Sequence, residues 1–264
     1  MKQLYRVCLM MVMVLVGLSV GGEETAVFAQ TNPPLSASWV VRVSVENWEP
    51  QIIWQVVVKN LEDDSLFAQS EQPLQCEFGG GVTIHQDHLS FNGQRPPIWC
   101  KLPSFAEEVA RLTNKMLILP DEEKVNGTLI NAEMSLTPSS LQQKQMSLFS
   151  HVGSNFHYDI HLLPNGDFFP ANARQVFAGE DFFTRSSVIF DAPQAQTTLK
   201  ITLDSFGFTH FQNDEIVGAD SSANSFLLNT QATTICIGCG PAGYFTGVLW
   251  YGEFDPGCTG ICGL

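Results

Sequence analysis

Short stretches in which apolar and polar residues alternate are the feature that most constrains the fold of this chain. Ile130, Ala132, Met134 and Leu136 alternate with polar residues, and the same period of two recurs over 155–163 and 196–208. On a strand, such alternation places apolar side chains on one face and polar side chains on the other. Regular short strands with turn residues between them predict a mainly β chain, folded as an antiparallel β-sandwich of jelly-roll type.

The first strands are predicted over Trp39–Val45 and Ile52–Val58, which are rich in β-branched and aromatic residues, with a turn at 46–50 between them. Residues 76–100 continue in the same style. There, Asn92-Gly93 predicts a tight hairpin turn after a strand at 88–91. The polar stretch 137–147 is predicted to be a loop.

One helix is predicted near 105–115. Ser104 occupies an N-cap position and Glu107 follows three residues later, an arrangement that satisfies two backbone donors at a helix start. Phe105, Val109 and Leu112 then fall on one helical face.

The N-terminus has the pattern of a secretory signal. Lys2 and Arg6 precede a 14-residue apolar run at 7–20, and Val27-Phe28-Ala29 supplies the small residues of a cleavage site. A membrane anchor is the alternative, but a spanning helix needs about 20 apolar residues. We therefore predict a signal peptide at 1–29, a leader at 30–36 and a β-sandwich domain at 37–264, with a split near 137–147 as an alternative. The mature chain is expected to have no transmembrane segment.

The charge balance excludes some partners. The chain has 13 Lys and Arg against 27 Asp and Glu, a net charge of −14. Residues 1–29 carry two charges of each sign, so the mature chain keeps the same net charge. A strongly acidic protein repels phosphate backbones and anionic membrane surfaces, and we expect no nucleic-acid partner.

Six cysteines remain after cleavage, and an even number in an exported chain favours disulfides. We predict a Cys76–Cys100 bridge and two nested bridges among the last four. Those four also have the spacing of a four-thiolate zinc site, which exported thiols rarely form. The six disulfide candidates are Cys76, Cys100, Cys236, Cys239, Cys258 and Cys262.

The sharpest metal candidate is the set His157, Asp159 and His161. On a strand these three side chains share a face, with about 6.6 Å between successive residues, and their chemistry suits zinc or copper. The competing interpretation is an amphipathic strand whose polar face meets solvent, and the alternation favours it. A second cluster, His85-Gln-Asp-His88, lacks a further histidine that a metal motif would need.

The tryptophans offer another kind of site, because an indole ring presents a flat surface for a sugar or an apolar partner. Trp39 and Trp54 lie in apolar strands and are predicted to be core residues. Trp48 lies in a turn, and we predict it as a ligand-binding residue.

These features favour an exported, non-catalytic β-sandwich protein that needs no cofactor and binds a protein or carbohydrate ligand. The expected location is secreted, periplasmic or cell-surface. No nucleophile elbow or phosphate-binding loop is found in the sequence. Two alternatives stay open: a metal-dependent hydrolase or oxidoreductase that uses His157, Asp159 and His161, and a disulfide-stapled structural envelope protein.

Overall fold

The computed structural model describes residues 34–94, 97–114, 122–125, 127–137, 140, 143, 145–154, 156–163, 172–178, 183–189, 195–204, 207–220, 226–229 and 231–257. The predicted signal peptide at 1–29, the start of the predicted leader, Cys258 and Cys262 lie outside these residues. In the described part of the chain, no helix is long and apolar enough to cross a membrane.

The described residues are mostly β-strand, as the alternating pattern predicts, with one nine-residue helix, α1 (Phe105–Thr113). The strands in chain order are β1 (Leu35–Glu46), β2 (Glu49–Asn60), β3 (Leu66–Pro73), β4 (Gln75–Phe78), β5 (Val82–Ile84), β6 (Leu89–Asn92), β7 (Ile98–Lys101), β8 (Glu122–Val125), β9 (Leu129–Ser135), β10 (Gln145–His151), β11 (His157–Leu163), β12 (Asn172–Ala178), β13 (Phe183–Ile189), β14 (Thr197–Asp204), β15 (Gly207–Gln212), β16 (Glu215–Asp220), β17 (Phe226–Asn229), β18 (Thr234–Ile237), β19 (Cys239–Gly240), β20 (Gly243–Tyr244) and β21 (Thr246–Asp255).

Two large sheets form the fold. In sheet A the strand order is β16-β15-β14-β9-β21-β1-β2-β3, and β6 pairs with both β21 and β5. In sheet B the order is β13-β12-β11-β10-β18-β7-β4, with the β19–β20 hairpin beside β10. Neighbouring strands are antiparallel, apart from a short parallel contact between β10 and β20. Strands from both sides of 137–147 lie in both sheets.

The core lies between the two sheets, where their apolar faces meet. Trp39 and Trp54 of sheet A are buried, which confirms their predicted place in the core. Aromatic contacts join the sheets: Phe149 of sheet B stacks on Phe254 of sheet A with ring centroids 4.1 Å apart. The architecture is therefore the predicted antiparallel β-sandwich.

Helix α1 confirms the predicted capping signal. Ser104 has an extended backbone, and its hydroxyl accepts a hydrogen bond from the backbone N–H of Glu107 at 3.3 Å. Phe105 and Val109 are buried on the helical face that the sequence pattern predicts. Asn114, in the left-handed conformation, ends the helix.

Two local predictions were wrong. The predicted hairpin turn at Asn92-Gly93 is not formed. Strand β6 pairs with the preceding strand, β5, so the tight turn lies before β6, at 85–88. Asn92-Gly93 instead leads the chain from β6 in sheet A toward β7 in sheet B. Gly93 does take a positive φ of 70°, but a turn-forming dipeptide does not fix which strands pair. Strand β10 begins at Gln145, inside the predicted loop, because it pairs with β11 and β18.

Two disulfides join described cysteines. Cys76 on β4 and Cys100 on β7 are directly opposite each other and form the predicted bridge. Cys236 and Cys239 form a second, local bridge across the connection from β18 to β19. The expectation of two nested bridges was therefore wrong, since in a nested pattern each of these cysteines would pair with Cys258 or Cys262.

Candidate ligand-binding site

The site begins at Trp48, the residue predicted from its turn position. Strands β1 and β2 are joined by a two-residue turn, Asn47-Trp48, with positive φ angles of 52° and 71°. This geometry is that of a type I′ turn, in which glycine is the usual second residue. A bulky residue in this backbone region costs about 1–2 kcal/mol. The indole of Trp48 is 60% exposed, so burial does not offset that cost.

A second turn lies against the first. Residues 85–88 connect β5 to β6, and the backbone N–H of His85 donates to the carbonyl oxygen of His88 at 2.9 Å. The backbone N–H of Trp48 donates to the carbonyl oxygen of Gln86 at 3.2 Å. This inter-turn hydrogen bond holds the tips of two hairpins together.

Trp250 reaches the same place through an irregularity in β21. Leu249 pairs with Met134 of β9, and Tyr251 pairs with Glu133, the adjacent residue of β9. Trp250, between them, has no partner on β9 and is therefore a bulge residue. On the other side, β21 changes partner here: 246–249 pair with β6 and 251–254 pair with β1. Bulges re-aim side chains at sheet edges and binding sites. Here the bulge places Trp250 where the β1–β2 and β5–β6 turns meet.

Together these elements form one continuous line of rings, which we name the aromatic row: Trp48, His85, His88 and Trp250. The His85 and His88 rings are stacked with centroids 4.3 Å apart and an interplanar angle of 15°. Trp48 lies 6.5 Å from His85, and Trp250 lies 5.5 Å from His88. The row presents ring faces and ring nitrogens side by side.

The surroundings of the row are acidic. Glu46 and Glu49 flank the Trp48 turn and are exposed. The Nδ1 atom of His88 lies 2.7 Å from a carboxylate oxygen of Asp87, which is itself exposed. When the imidazole is neutral and donates through Nδ1, its Nε2 carries a lone pair and accepts a hydrogen bond. The site therefore offers acceptors and flat rings, and it repels anions.

The histidine and aspartate candidates on β11 lie elsewhere, in sheet B. His157 Nε2 is 3.3 Å from Asp159 Oδ2, and the hydroxyl of Ser147 donates to Asp159 Oδ1 at 2.5 Å. Both His157 and Asp159 are buried, although a solvent-facing polar strand was expected. The β19–β20 hairpin explains this burial, because the N–H of Ala242 in that hairpin donates to Ser147 Oγ.

The β11 residues act as a structural connection in this arrangement. His161 is partly exposed, whereas His157 and Asp159 are buried, so the three candidates do not share one environment. Within the ranges given above, no three His, Cys, Asp or Glu side chains are grouped so as to hold a metal ion. The bonds from Asp159 through Ser147 to Ala242 tie the hairpin to the sheet.

Of the four residues in the row, Trp48 alone was predicted from the sequence as a ligand-binding residue. His85, His88 and Trp250 are visible as residues, but their meeting depends on a bulge and a change of strand partner, which have no short sequence signature. One signal was available at Trp48 itself: tryptophan follows Asn47 in a two-residue turn that ordinarily carries Asn-Gly.

Comparisons with known proteins find distant similarities of fold. No family model matches the sequence, and no curated protein matches it. Among solved structures, the ligand-binding domain of botulinum neurotoxin serotype D in complex with N-acetylneuraminic acid aligns with a TM-score of 0.46, 12% identity and coverage of 81% of this chain and 46% of that one. The serotype G binding domain gives 0.45, 12%, 81% and 46%. Domain 4 of AbnA, an extracellular arabinanase of Geobacillus stearothermophilus, in complex with arabinotriose, gives 0.39, 11%, 72% and 84%.

This chain thus spans about half the length of the neurotoxin domains that it matches. With identities of 12% or less and TM-scores below 0.5, these similarities assign the chain neither to a family nor to a function.

Proposed function

We propose that this protein is an exported, non-catalytic binding module that holds a neutral carbohydrate on the aromatic row. The observation that carries the proposal is the row itself: Trp48 is kept exposed in a backbone conformation that disfavours it. A costly exposed aromatic residue does nothing for the core, so its value lies in what it contacts outside.

The chemistry of the row favours a sugar. The face of a sugar ring carries C–H groups that pack on aromatic rings, and its edge carries hydroxyls that donate and accept hydrogen bonds. The row supplies both partners, ring faces from Trp48 and Trp250 and polar atoms from the two imidazoles and Asp87. A purely apolar partner would leave these polar atoms without hydrogen bonds.

Charge selects among sugars. The exposed carboxylates beside the row and the net charge of −14 disfavour sialylated or sulfated glycans and anionic membranes. Export is supported by the signal pattern at 1–29 and by the two disulfides, since disulfides persist in oxidising compartments. We therefore propose a location outside the cell, in a periplasm or on a cell surface.

A binding screen on the mature chain tests this proposal. Immobilised neutral and anionic glycans are probed with the wild-type protein, Trp48→Ala and Trp250→Ala. The expected result is binding to neutral glycans that falls by about tenfold or more in each variant, because buried aromatic contacts dominate such interfaces. Phe67→Ala is the matched control, since Phe67 is 50% exposed on β3 and lies outside the row.

Two results would contradict the proposal. Neutral glycans that bind the wild type and both variants equally would remove the row from the site. Turnover of a bound glycan, measured as new reducing ends, would show an enzyme instead of a binding module.

A further inference from the structure

A second concave surface lies on the outer face of sheet B, on the strands that carry no part of the row. Directly opposed residues there share one face of the sheet. Glu77 on β4 pairs with Trp99 on β7, Trp99 pairs with Cys236 on β18, and Cys236 pairs with Ser150 on β10. Trp99 is thus the aromatic centre of a line of side chains that runs across four strands.

On one side of Trp99 is a cavity of about 450 Å³. Its walls include the indole of Trp99, the ring of Tyr244, and Pro241 and Cys239 of the β19–β20 hairpin. This volume falls in the range of small-ligand sites, and an apolar lining with a few polar groups is typical of them.

Internal bonds fix the hairpin wall of this cavity. The hydroxyl of Ser150 donates to the carbonyl oxygen of Cys239 at 2.9 Å, and the N–H of Ala242 donates to Ser147 Oγ at 3.0 Å. The Cys236–Cys239 disulfide anchors the same segment. A wall held in this way needs little ordering when a ligand binds, which favours affinity.

On the other side of Trp99 is a smaller cavity of about 320 Å³, whose lining mixes polar and apolar groups. Gln75, Glu77, Lys101 and Thr234 line it and supply amide, carboxylate, ammonium and hydroxyl groups. Because Glu77 and Lys101 carry opposite charges, this end selects hydrogen-bonding groups without selecting a net charge. Trp99 lines both cavities, so one elongated ligand can pass over its ring and reach both ends.

We propose that these two cavities form a second binding site, the Trp99 groove, for a short neutral oligosaccharide that lies across the strands of sheet B. A sugar ring stacks on Trp99, and its neighbours reach Tyr244 on one side and the smaller cavity, with its Glu77 and Lys101 side chains, on the other. An extended peptide fits less well. The backbone groups of β7 are already paired with β4 and β18, so a peptide that lies over the face of the sheet cannot form backbone hydrogen bonds with β7.

The Trp99 groove and the aromatic row share no residue, so the proposed groove site is independent of the function proposed for the row. The experiment therefore uses the mature chain with Trp48→Ala, in which the row is disabled. Neutral tetrasaccharides of glucose, mannose, xylose, galactose and arabinose are titrated into it by calorimetry. We expect one tetrasaccharide of this panel to bind with one site per chain.

Adding Trp99→Ala to that variant is expected to weaken binding by about tenfold or more, and Trp99→Phe is expected to restore most of it. Phe78→Ala is the matched control, because Phe78 is an exposed aromatic residue on β4 that lines neither cavity. If Trp99→Ala unfolds the chain, Tyr244→Ala, at an exposed position in the hairpin, takes its place.

A second readout needs no groove variant. The indole N–H signals of isotope-labelled protein are followed during the titration, and the Trp99 signal is expected to shift. The proposal is overturned if no tetrasaccharide of the panel binds the Trp48→Ala protein. It is equally overturned if binding leaves the Trp99 signal unmoved. If the wild type and Trp48→Ala bind the tetrasaccharide equally and binding is lost on Trp99→Ala, only the function proposed above is contradicted.

Discussion

The imidazole of His151 packs edge-on against the indole of Trp39 in the core, with ring centroids 5.4 Å apart. Its Nε2–H donates to the carbonyl oxygen of Ala232 at 3.0 Å. Burial disfavours the charged ring and lowers the pKa of His151 from 6.5 to about 4. Because the folded pKa lies below the unfolded one, the unfolded chain binds more protons between these values.

Acidification is therefore expected to destabilise the fold through His151. Above pH 6.5 the ring is neutral in both states and has no effect on the pH dependence of stability. As the pH falls from 6.5 toward 4, the unfolded chain takes up the proton first, and the free energy of unfolding falls by about 3 kcal/mol. The variant His151→Gln keeps an N–H donor but does not titrate, so its unfolding free energy is expected to lack this acid slope. Urea unfolding at pH 4, 5, 6 and 7 measures it. Identical pH slopes in variant and wild type would contradict the assignment.

Asp255 is expected to act in the opposite direction over the same range. Burial at the end of β21 raises the pKa of Asp255 from 3.8 to about 7, although the N–H of Gly257 donates to its carboxylate. The folded state then holds a proton that the unfolded state has released, so this group costs about 1–4 kcal/mol as the pH rises from 4 to 7. Asp255→Asn should raise the melting temperature at pH 8 and have little effect at pH 4.

The pH dependences of stability that His151 and Asp255 cause have opposite signs and offset each other in the wild type. Each single variant removes one of them and reveals the other. With His151→Gln, stability is expected to increase toward acid; with Asp255→Asn, it is expected to decrease toward acid. A double variant with a flat profile between pH 4 and 7 would be consistent with both assignments.

Trp48→Gly is expected to stabilise the fold while it weakens binding. Glycine accepts the positive φ at the second turn position without the cost that tryptophan carries, a gain of about 1 kcal/mol. Thermal unfolding and glycan binding are measured on the same preparation. Trp48→Phe is the control, since it keeps a ring and the strained backbone. A Trp48→Gly protein less stable than the wild type would mean that the indole supports the fold.

Asp159→Ala is expected to destabilise the protein by about 2–4 kcal/mol. The change leaves the buried His157 and the Ser147 hydroxyl without their shared partner, and buried polar groups without hydrogen bonds are costly. Asp159→Asn keeps an acceptor for Ser147 and should cost less. Urea unfolding of the two variants gives the comparison, and equal stabilities would show that the hydrogen bond to Ser147 contributes nothing.

Loss of the Cys76–Cys100 bridge is expected to cost about 2–4 kcal/mol, because it closes a loop across a sequence separation of 24. The Cys236–Cys239 bridge joins residues only three positions apart and constrains the unfolded chain less. Paired Cys→Ala variants of each bridge are compared by urea unfolding. Intact-mass measurement with and without reductant checks the bridges, since each one adds two hydrogens on reduction.

The sequence predicted those parts of the fold that depend on local pattern. Alternation predicted the strand around Ile130, the apolar runs predicted the core positions of Trp39 and Trp54, and the Ser104 cap predicted the helix start. It failed where distant segments decide the outcome. Asp159 is buried because a hairpin some 80 residues later covers it, and the turn at Asn92-Gly93 joins sheets because β6 finds its partners elsewhere.

The bulge at Trp250 has a consequence for how such a protein can evolve. Leu249 and Tyr251 face consecutive residues of β9, so the ladder on either side is in register without the residue between them. Deleting the single codon for Trp250 would leave the pairings of both flanking segments, and the core face they carry, unchanged. One end of the aromatic row can therefore be gained or lost in a single insertion or deletion, while the strand pairing of the sandwich on either side is kept.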